Sequence, residues 1–98
     1  MKDRRILGEE GFISILVAVD LDSGKVVFGP EITARGFTDD PVALDPIRKE
    51  LITVVEQSLA EGARDADALE HTIRRTVGRW VDQTYRRRPM LIPMVVEV

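Results

Sequence analysis

The stretch Phe12–Val19 places the strongest constraint on the fold of this chain, because it is apolar in both of its alternating phases. One phase contains only β-branched residues, namely Ile13, Ile15, Val17 and Val19. The other phase contains Phe12, Ser14, Leu16 and Ala18. A strand with apolar residues on both sides needs at least partial cover on each face. The pattern therefore predicts a central strand in a sheet.

A β-hairpin is predicted directly after this strand. The segment Asp20–Lys25 is rich in turn-forming residues, and Gly24 within it can adopt a positive φ angle. Lys25–Phe28 then resumes the strand pattern. Pro30 has no N–H group to donate to a neighbouring strand. We therefore expect a bulge or kink there, before the strand continues over Glu31–Arg35.

A first helix is predicted to begin at Asp45-Pro46, where a capping carboxylate precedes a proline at the first helical position. Its buried face recurs at four-residue steps and consists of Ile47, Leu51, Val55 and Leu59. Ile52 and Val54 widen this face, which suggests contact with a second surface. Gly62 is the predicted C-terminal cap.

A second helix is predicted after Asp65, which can cap its N-terminus, with Asp67 in the first turn. Its apolar stripe consists of Leu69, Ile73, Val77, Trp80, Val81 and Tyr85. At this helical spacing Trp80 is interpreted as a core residue rather than a base-stacking one. Pro89 ends the region.

The last strand is predicted over Met90–Val98, and Pro93 in its middle indicates an edge position or a bulge. Together these elements predict an α+β two-layer sandwich, a three-stranded sheet with two helices on one face in the order β-β-α-α-β. A chain of 98 residues has room for one small core. We therefore expect a single domain over residues 1–98, with residues 1–10 as a flexible lead-in.

The charge of the chain is unevenly distributed. Residues 1–70 contain 8 basic and 15 acidic side chains, whereas residues 71–98 contain 6 basic and 2 acidic ones, for a formal net charge of −3 overall. The chain has no cysteine, which excludes disulfides, thiolate metal sites and a cysteine nucleophile. No apolar run approaches the roughly 18 residues of a membrane-spanning helix, and no secretory signal is visible, so no membrane partner is expected.

A self-contained active site is not predicted. The Asp20–Gly24 segment lacks the spacing of a calcium loop and is interpreted as a hairpin turn. Gly24-Lys25 lacks the flanking residues of a phosphate-binding loop. His71 is the only histidine and is expected at the surface. The acidic pairs Glu9-Glu10 and Asp39-Asp40 have no visible partner, and no serine or threonine has an accompanying base.

Five arginines near the C-terminus leave two interpretations open. They are Arg75, Arg79, Arg86, Arg87 and Arg88. A solvated helix face with cations near the helix C-terminus is favoured, and Asp82 could pair with Arg79 or Arg86. The alternative is a set of RNA-phosphate contacts, because a local basic excess favours phosphate-rich partners.

Three segments resemble one known family. They are Asp3–Gly11, Gly29–Phe37 and Arg87–Val98. The motifs Gly-Pro-x-Ile-x-x-Arg-Gly-Phe and Arg-Arg-Pro-Met within the last two segments are the most specific parts. Their order and separation resemble the C-terminal domain of bacterial ribonuclease J, of the metallo-β-lactamase/β-CASP family. The resemblance covers essentially the whole chain, and the family's three-stranded sheet with two helices agrees with the predicted fold.

The resemblance implies that the parent enzyme is a cytoplasmic, zinc-dependent ribonuclease. Such an enzyme cuts RNA by 5′-to-3′ exonuclease and endonuclease action in RNA maturation and decay. Its zinc ligands lie in His-x-His-x-Asp-His and related motifs, which have no match here. The resemblance therefore implies no catalytic residue, metal ligand or cofactor in this segment. The first residues match sequence inside the family's longer chains, so Met1 is interpreted as an added start, and the last residues look like a natural C-terminus.

The resemblance also implies an assembly role, with self-association into a dimer or tetramer and contact with the parent's catalytic domain as expected partners. RNA is expected to be a partner of the parent, and a weak one or none for this segment. Burial of apolar surface would drive such assembly. The candidate interface residues are Phe12, Leu16, Ala18, Ile52 and Val54.

Overall fold

The first apolar run forms the middle strand of a three-stranded sheet in the computed structural model, which describes residues 11–38, 40 and 42–98. The elements are β1 (Phe12–Asp20), β2 (Lys25–Arg35), α1 (Asp45–Ala60), α2 (Ala66–Tyr85) and β3 (Met90–Glu97). The predicted α+β architecture and the order β-β-α-α-β are confirmed. The expected lead-in over residues 1–10 lies outside the described residues, as do Asp39 and Pro41.

The sheet has the order β2-β1-β3, with β2 antiparallel and β3 parallel to β1. The predicted central position of β1 is therefore confirmed, as is the predicted edge position of the strand that contains Pro93. α1 packs on the β2 side of the sheet and α2 on the β3 side. Because both helices lie on the same face, the opposite face of the sheet has no second layer among the described residues.

The core lies between β1 and the two helices. All four β-branched residues of β1 are at most 1% exposed. They pack with residues of both helices, namely Ile47, Leu51, Val55, Leu59, Leu69, Ile73, Val77 and Val81. Full burial of each such side chain contributes about 1.5–3 kcal/mol to the free energy of unfolding. Trp80 and Tyr85 of the predicted stripe are only half-buried, and Thr76 is a buried polar residue that the apolar pattern did not predict.

The helix ends follow their predicted signals with one correction. Gly62 follows α1 at a φ of +109°, and the N–H groups of Gly62 and Ala63 donate to the carbonyls of Leu59 and Ser58. This is the Schellman pattern. Asp65 caps α2 by accepting a hydrogen bond from the Asp67 N–H at 3.0 Å.

The prediction of a capping carboxylate at Asp45 is wrong. Leu44 occupies the cap position of α1 and makes no side-chain cap hydrogen bond. Asp45 is already helical, and its carboxylate accepts instead from Arg48 Nε at 3.2 Å. The side chain is thus directed along the first turn rather than toward the N–H groups that a cap would satisfy.

The predicted hairpin and its irregularity are both present. The Asp20 side chain accepts hydrogen bonds from the N–H groups of Asp22 and Ser23, and Gly24 lies at a φ of +70°. The register between β1 and β2 shifts around Ala18, as predicted for the region of Pro30. The shift lets β2 bend while its far half stays paired to β1.

A close approach of two backbones lies at the end of the hairpin. Gly11 has a φ of +77°, and a Cβ atom there would overlap the carbonyl oxygen of Arg35 and lie 2.5 Å from the carbonyl carbon of Gly36. The main chain before β1 therefore touches the main chain after β2, and only glycine fits.

We expect Gly11→Ala to lower the free energy of unfolding by about 3 kcal/mol, from the positive φ angle and the overlap together. Gly24→Ala is the matched control, because Gly24 also has a positive φ angle but a Cβ atom added there would have nothing within 4 Å. It should cost only about 1 kcal/mol. Urea denaturation followed by circular dichroism measures both. Equal losses for the two variants would contradict the close approach.

Candidate interaction surface

One face of the sheet carries apolar side chains that no second layer covers among the described residues. Phe12, Ser14, Leu16 and Ala18 lie on this face, since the intervening residues of β1 are buried against the helices. The paired residues of β3 are Met90, Ile92, Met94 and Val96, and those of β2 are Arg35, Thr33, Glu31 and Phe28. Directly opposed residues share a face. We name this set of twelve residues the open face.

Large apolar side chains of the open face are accessible to solvent. Met94 is 44% exposed, Val96 is 47% exposed and Phe28 is 52% exposed, and Phe12 and Leu16 are half-buried between them. Scattered apolar residues are normal on a protein surface, but a contiguous patch marks a site of interaction. The open face is therefore the candidate interaction surface of this domain.

The structure brings together three of the predicted interface residues and separates two others. Phe12, Leu16 and Ala18 lie on the open face. Ile52 and Val54 lie on α1, in the opposite layer, and are half-buried. They are two residues apart on a helix and therefore point about 200° apart, so they form no common surface.

The apolar residues of β3 and Phe28 were missed as interface candidates. The alternation of Met90, Ile92, Met94 and Val96 is visible in the sequence. Alternation alone, however, does not say which phase faces the helices. That assignment depends on the parallel pairing of β3 with β1, which is a long-range contact.

Both outer edges of the sheet are covered by side chains from the helices. Glu56 of α1 accepts a hydrogen bond from the Val26 N–H of β2 at 3.0 Å. Glu70 of α2 accepts from the Val95 N–H of β3 at 3.1 Å. Arg48 Nη1 donates to the Pro30 carbonyl at 2.6 Å.

Alternate residues of β3 donate their N–H groups to β1. Pro93 and Val95 belong to the other set, whose backbone groups face away from β1. Proline has no N–H group, so Pro93 leaves none unpaired at this edge. Unpaired edges invite strand addition, and these contacts reduce the number of available edge groups on both sides. Among the described residues, the open face is therefore a better candidate for association than either edge.

Two of the five candidate RNA-contact arginines are engaged within the domain. Arg87 is half-buried, with its guanidinium 4.7 Å from the centroid of the Phe37 ring and its Nη1 donating to the Phe37 carbonyl at 2.7 Å. Arg88 Nε lies 3.9 Å from Asp82 Oδ1, so the prediction that Asp82 pairs with Arg79 or Arg86 is wrong, because the chain turns after α2 and brings Arg88 back to Asp82. Tyr85 packs edge-on against Phe37 and Trp80, so the aromatic residues belong to this same cluster.

Arg75, Arg79 and Arg86 are exposed at the outer side of α2 and at its C-terminus. Arg79 and Arg88 also line a cleft of about 420 Å³ between the end of α2 and the start of β3, with Asp82 and Leu91. The cleft contains an acidic side chain as well as cations, so its lining is not purely phosphate-binding in character.

The described residues contain no group of three or more histidine, cysteine, aspartate or glutamate side chains that could hold a metal ion. His71 is exposed on α2, as predicted. The Asp20 carboxylate accepts hydrogen bonds from backbone N–H groups within the hairpin turn. Within the part of the chain that the structure covers, no helix has both the length and the apolar character to cross a membrane.

The three motif segments meet at one corner of the domain. Gly11 contacts the backbone of Gly36, and its carbonyl accepts a hydrogen bond from the Met90 N–H at 3.0 Å. Arg87 binds the carbonyl of Phe37 from the third segment to the second. Asp3–Glu10 of the first segment lies outside the described residues. The described motif residues thus hold the ends of all three strands together.

Comparison with known proteins gives a consistent family assignment. The family model described as the ribonuclease J C-terminal domain matches residues 1–98. The chain is 37% identical over 94 residues to ribonuclease J of Mycolicibacterium smegmatis, covering 96% of this chain and 17% of that protein. It is 32% identical over 97 residues to ribonuclease J of Corynebacterium glutamicum, covering 98% of this chain and 14% of that protein.

A more distant relative is ribonuclease J 2 of Staphylococcus saprophyticus, with 27% identity over 101 residues, 100% of this chain and 18% of that protein. The chain thus spans less than a fifth of the length of these relatives. The matched region contains the open face and the described residues of the three motif segments.

We expect Arg87→Ala to lower the free energy of unfolding by about 2 kcal/mol, because it removes both the stacking on Phe37 and the bond to its carbonyl. Arg79→Ala, which removes an exposed arginine from the same region, should change it by at most about 0.5 kcal/mol. Thermal and urea denaturation compare the two. Equal stability of both variants would contradict a structural role for Arg87.

Proposed function

Since the chain belongs to the family of ribonuclease J C-terminal domains, we propose that it is a non-catalytic domain that supports oligomer assembly and activity of its parent enzyme. The proposed parent is a cytoplasmic, metal-dependent 5′-3′ exo- and endoribonuclease in RNA maturation and decay. The open face is the observation that carries the assembly role. It offers contiguous apolar surface, and burial of such surface stabilises association by about 25 cal/mol per Å².

A non-catalytic role is supported by the chemistry of the available side chains. Zinc in an enzyme requires three or four ligands drawn from histidine, cysteine and carboxylates. The chain has a single histidine and no cysteine, and the described residues provide no such group. The described residues of this segment therefore do not fit a catalytic zinc ion, and we place the parent's metal in the remainder of its chain.

The mechanism proposed for this domain is physical rather than chemical. Packing a partner on the open face removes the Met94, Ile92 and Leu16 side chains from water. The rigid layer of helices on the other face keeps the sheet in a fixed shape, so little conformational freedom is lost on binding. Such a domain holds large catalytic bodies in a defined arrangement without contributing a reacting group.

We expect Met94→Glu to disrupt assembly, because it places a charge among the apolar side chains of the open face, next to Leu16. Val42→Glu is the matched control, since Val42 is 59% exposed and lies in the loop before α1, away from this face. In the full parent enzyme, sedimentation velocity should show smaller species for Met94→Glu only, with a parallel loss of ribonuclease activity. Deletion of the domain should have the same effect.

An unchanged oligomeric state and unchanged activity, both after the deletion and in the Met94→Glu enzyme, would refute the assembly role. Circular dichroism of each variant separates lost assembly from lost folding. Met94 is exposed, so a glutamate there should be tolerated by the isolated fold.

An auxiliary RNA-binding role is the second candidate, favoured by the exposure of Arg75, Arg79 and Arg86. Binding is expected to be weak, because the rest of the chain is acidic. Each phosphate contact contributes about −0.7 to the slope of log K against log salt for single strands.

The double variant Arg75→Ala with Arg79→Ala should therefore reduce that slope by about 1.4 in magnitude. The control removes two cations elsewhere, through Lys25→Ala with Lys49→Ala, and should leave the slope largely unchanged. Fluorescence anisotropy with a labelled single-stranded RNA measures both. A lack of binding at low salt would rule this role out.

A further inference from the structure

The cleft between the C-terminal end of α2 and the start of β3, which we name the α2–β3 cleft, has an apolar lining from four residues. These are Gly78, Val81, Pro89 and Leu91. A Cβ atom added at Gly78 would lie 3.3 Å from Leu91 Cδ1, so the glycine lets α2 approach β3 closely here. The volume of about 420 Å³ falls in the range of ligand-binding clefts.

The charged part of the lining is mainly basic. Arg79 and Arg88 are exposed and Arg87 is half-buried, against the single carboxylate of Asp82. Among the described residues, the guanidinium of Arg79 has no hydrogen bond or ion pair. Arg75 lies one turn before Arg79 on the same side of α2 and adds to the positive potential. The α2–β3 cleft therefore attracts an acidic group and offers Arg79 to bind it.

An outward-facing backbone pair lies beside the same cleft. The Met90 N–H donates to Gly11, so Met90 and every second residue after it bond to β1. The N–H and C=O groups of Leu91 consequently face the outer edge of the sheet. Glu70 covers this edge at Val95, but the described residues include no such partner for the Leu91 N–H. An extended chain laid along β3 at this point can exchange hydrogen bonds with Leu91.

These three features together select a peptide. We propose that the α2–β3 cleft binds an extended acidic peptide of a partner protein, which pairs with Leu91, inserts an apolar side chain beside Gly78 and places a carboxylate on Arg79. This inference does not involve the open face and goes beyond the proposed assembly function. Strand addition supplies the affinity and the pocket supplies the specificity, as in other domains that bind extended peptides. The carboxylate forms a charge-assisted hydrogen bond with the guanidinium.

RNA fits the α2–β3 cleft less well than an acidic peptide. Single-stranded RNA is bound by stacking of its bases on aromatic side chains, together with phosphate contacts. None of the described residues that line the cleft is aromatic. Trp80 and Tyr85, which are close in sequence, pack in the cluster with Phe37 instead. Asp82 repels a phosphate, whereas it can accept a hydrogen bond from a peptide N–H.

The expected contact is small, since it contains one strand pairing and one anchored side chain. We therefore expect a dissociation constant of about 10–100 μM, at the weak end of specific protein contacts. The arginines are exposed, so salt should weaken the binding.

Fluorescence anisotropy of a labelled peptide tests the proposal with the 98-residue chain. The probe is Glu-Asp-Leu-Asp-Glu, together with versions that have isoleucine, methionine or phenylalanine at the centre. Serine at the centre should weaken binding about ten-fold, because it removes the apolar anchor. N-methylation of the backbone on both sides of the central residue should weaken it similarly, because it prevents pairing with Leu91. In NMR spectra the Leu91 amide should shift on addition of the leucine probe.

Variants of the domain test the role of the arginine. Arg79→Ala should weaken binding of the leucine probe about five-fold, and Arg79→Glu more than ten-fold. Lys49→Glu is the matched control, because it makes the same charge change at an exposed position on α1 and should alter binding less than two-fold. Arg79 is exposed, so its replacement should leave the fold intact, which circular dichroism checks.

Four results would overturn the proposal. The first is a lack of binding by all four probes up to millimolar protein. The second is equal binding of the leucine and serine peptides, which indicates general charge attraction. The third is equal binding by Arg79→Glu and Lys49→Glu, which places the peptide elsewhere. The fourth is a single-stranded RNA that binds through Arg79 and displaces the probe, which makes the cleft an RNA site.

The full parent enzyme distinguishes a partner protein from the parent's own chain. It should bind the leucine probe with the same affinity as the 98-residue chain, to within about three-fold. Binding to the isolated chain alone would show that the remainder of the parent fills the cleft, and the partner protein would then be wrong. None of these results bears on the open face, so the proposed function is tested separately.

Discussion

The apolar character of β1 on both faces is the constraint on which the rest of the structure depends. The side chains between Ile13 and Val19 that point toward the helices form the centre of the core and are almost completely buried. Phe12 and Leu16 point the other way. Two helices of this length cover one face of a three-stranded sheet, so the second apolar face of β1 has no covering layer among the described residues. A small domain with such a strand is suited to packing against another body.

The layout of charged residues supports use of this face and disfavours use of the sheet edges. Glu56 and Glu70 come from different helices, and each accepts a backbone hydrogen bond from an outer edge strand. Edge protection of this kind prevents indiscriminate strand addition. Under the proposed assembly role, a partner would therefore pack on the open face rather than on an edge.

The family motifs have an architectural explanation in this domain. Gly11 and Gly36 permit two backbones to touch, and Arg87 joins the start of the last strand to the end of the hairpin through Phe37. None of these contacts creates a reactive group. The basic end of the chain accordingly divides into arginines that hold the structure together and arginines that remain on the surface of α2. The latter, together with Arg88, whose side chain is 87% exposed, remain the candidates for contact with RNA.

The sequence by itself determined the element order, the central position of β1, the edge position of the strand with Pro93 and most of the core, because these follow from local periodicity and from the chemistry of proline and glycine. The resemblance of its motifs to the family was also sufficient to assign the chain to that family. The tertiary structure alone decided that Met90–Val96 joins Phe12 and Leu16 on one surface, that Ile52 and Val54 lie elsewhere, and that Asp45 bonds to Arg48 instead of capping its helix. Each of these findings depends on the pairing of distant strands or on the direction of a side chain within a turn. The spacing of residues along the chain encodes neither that pairing nor that direction.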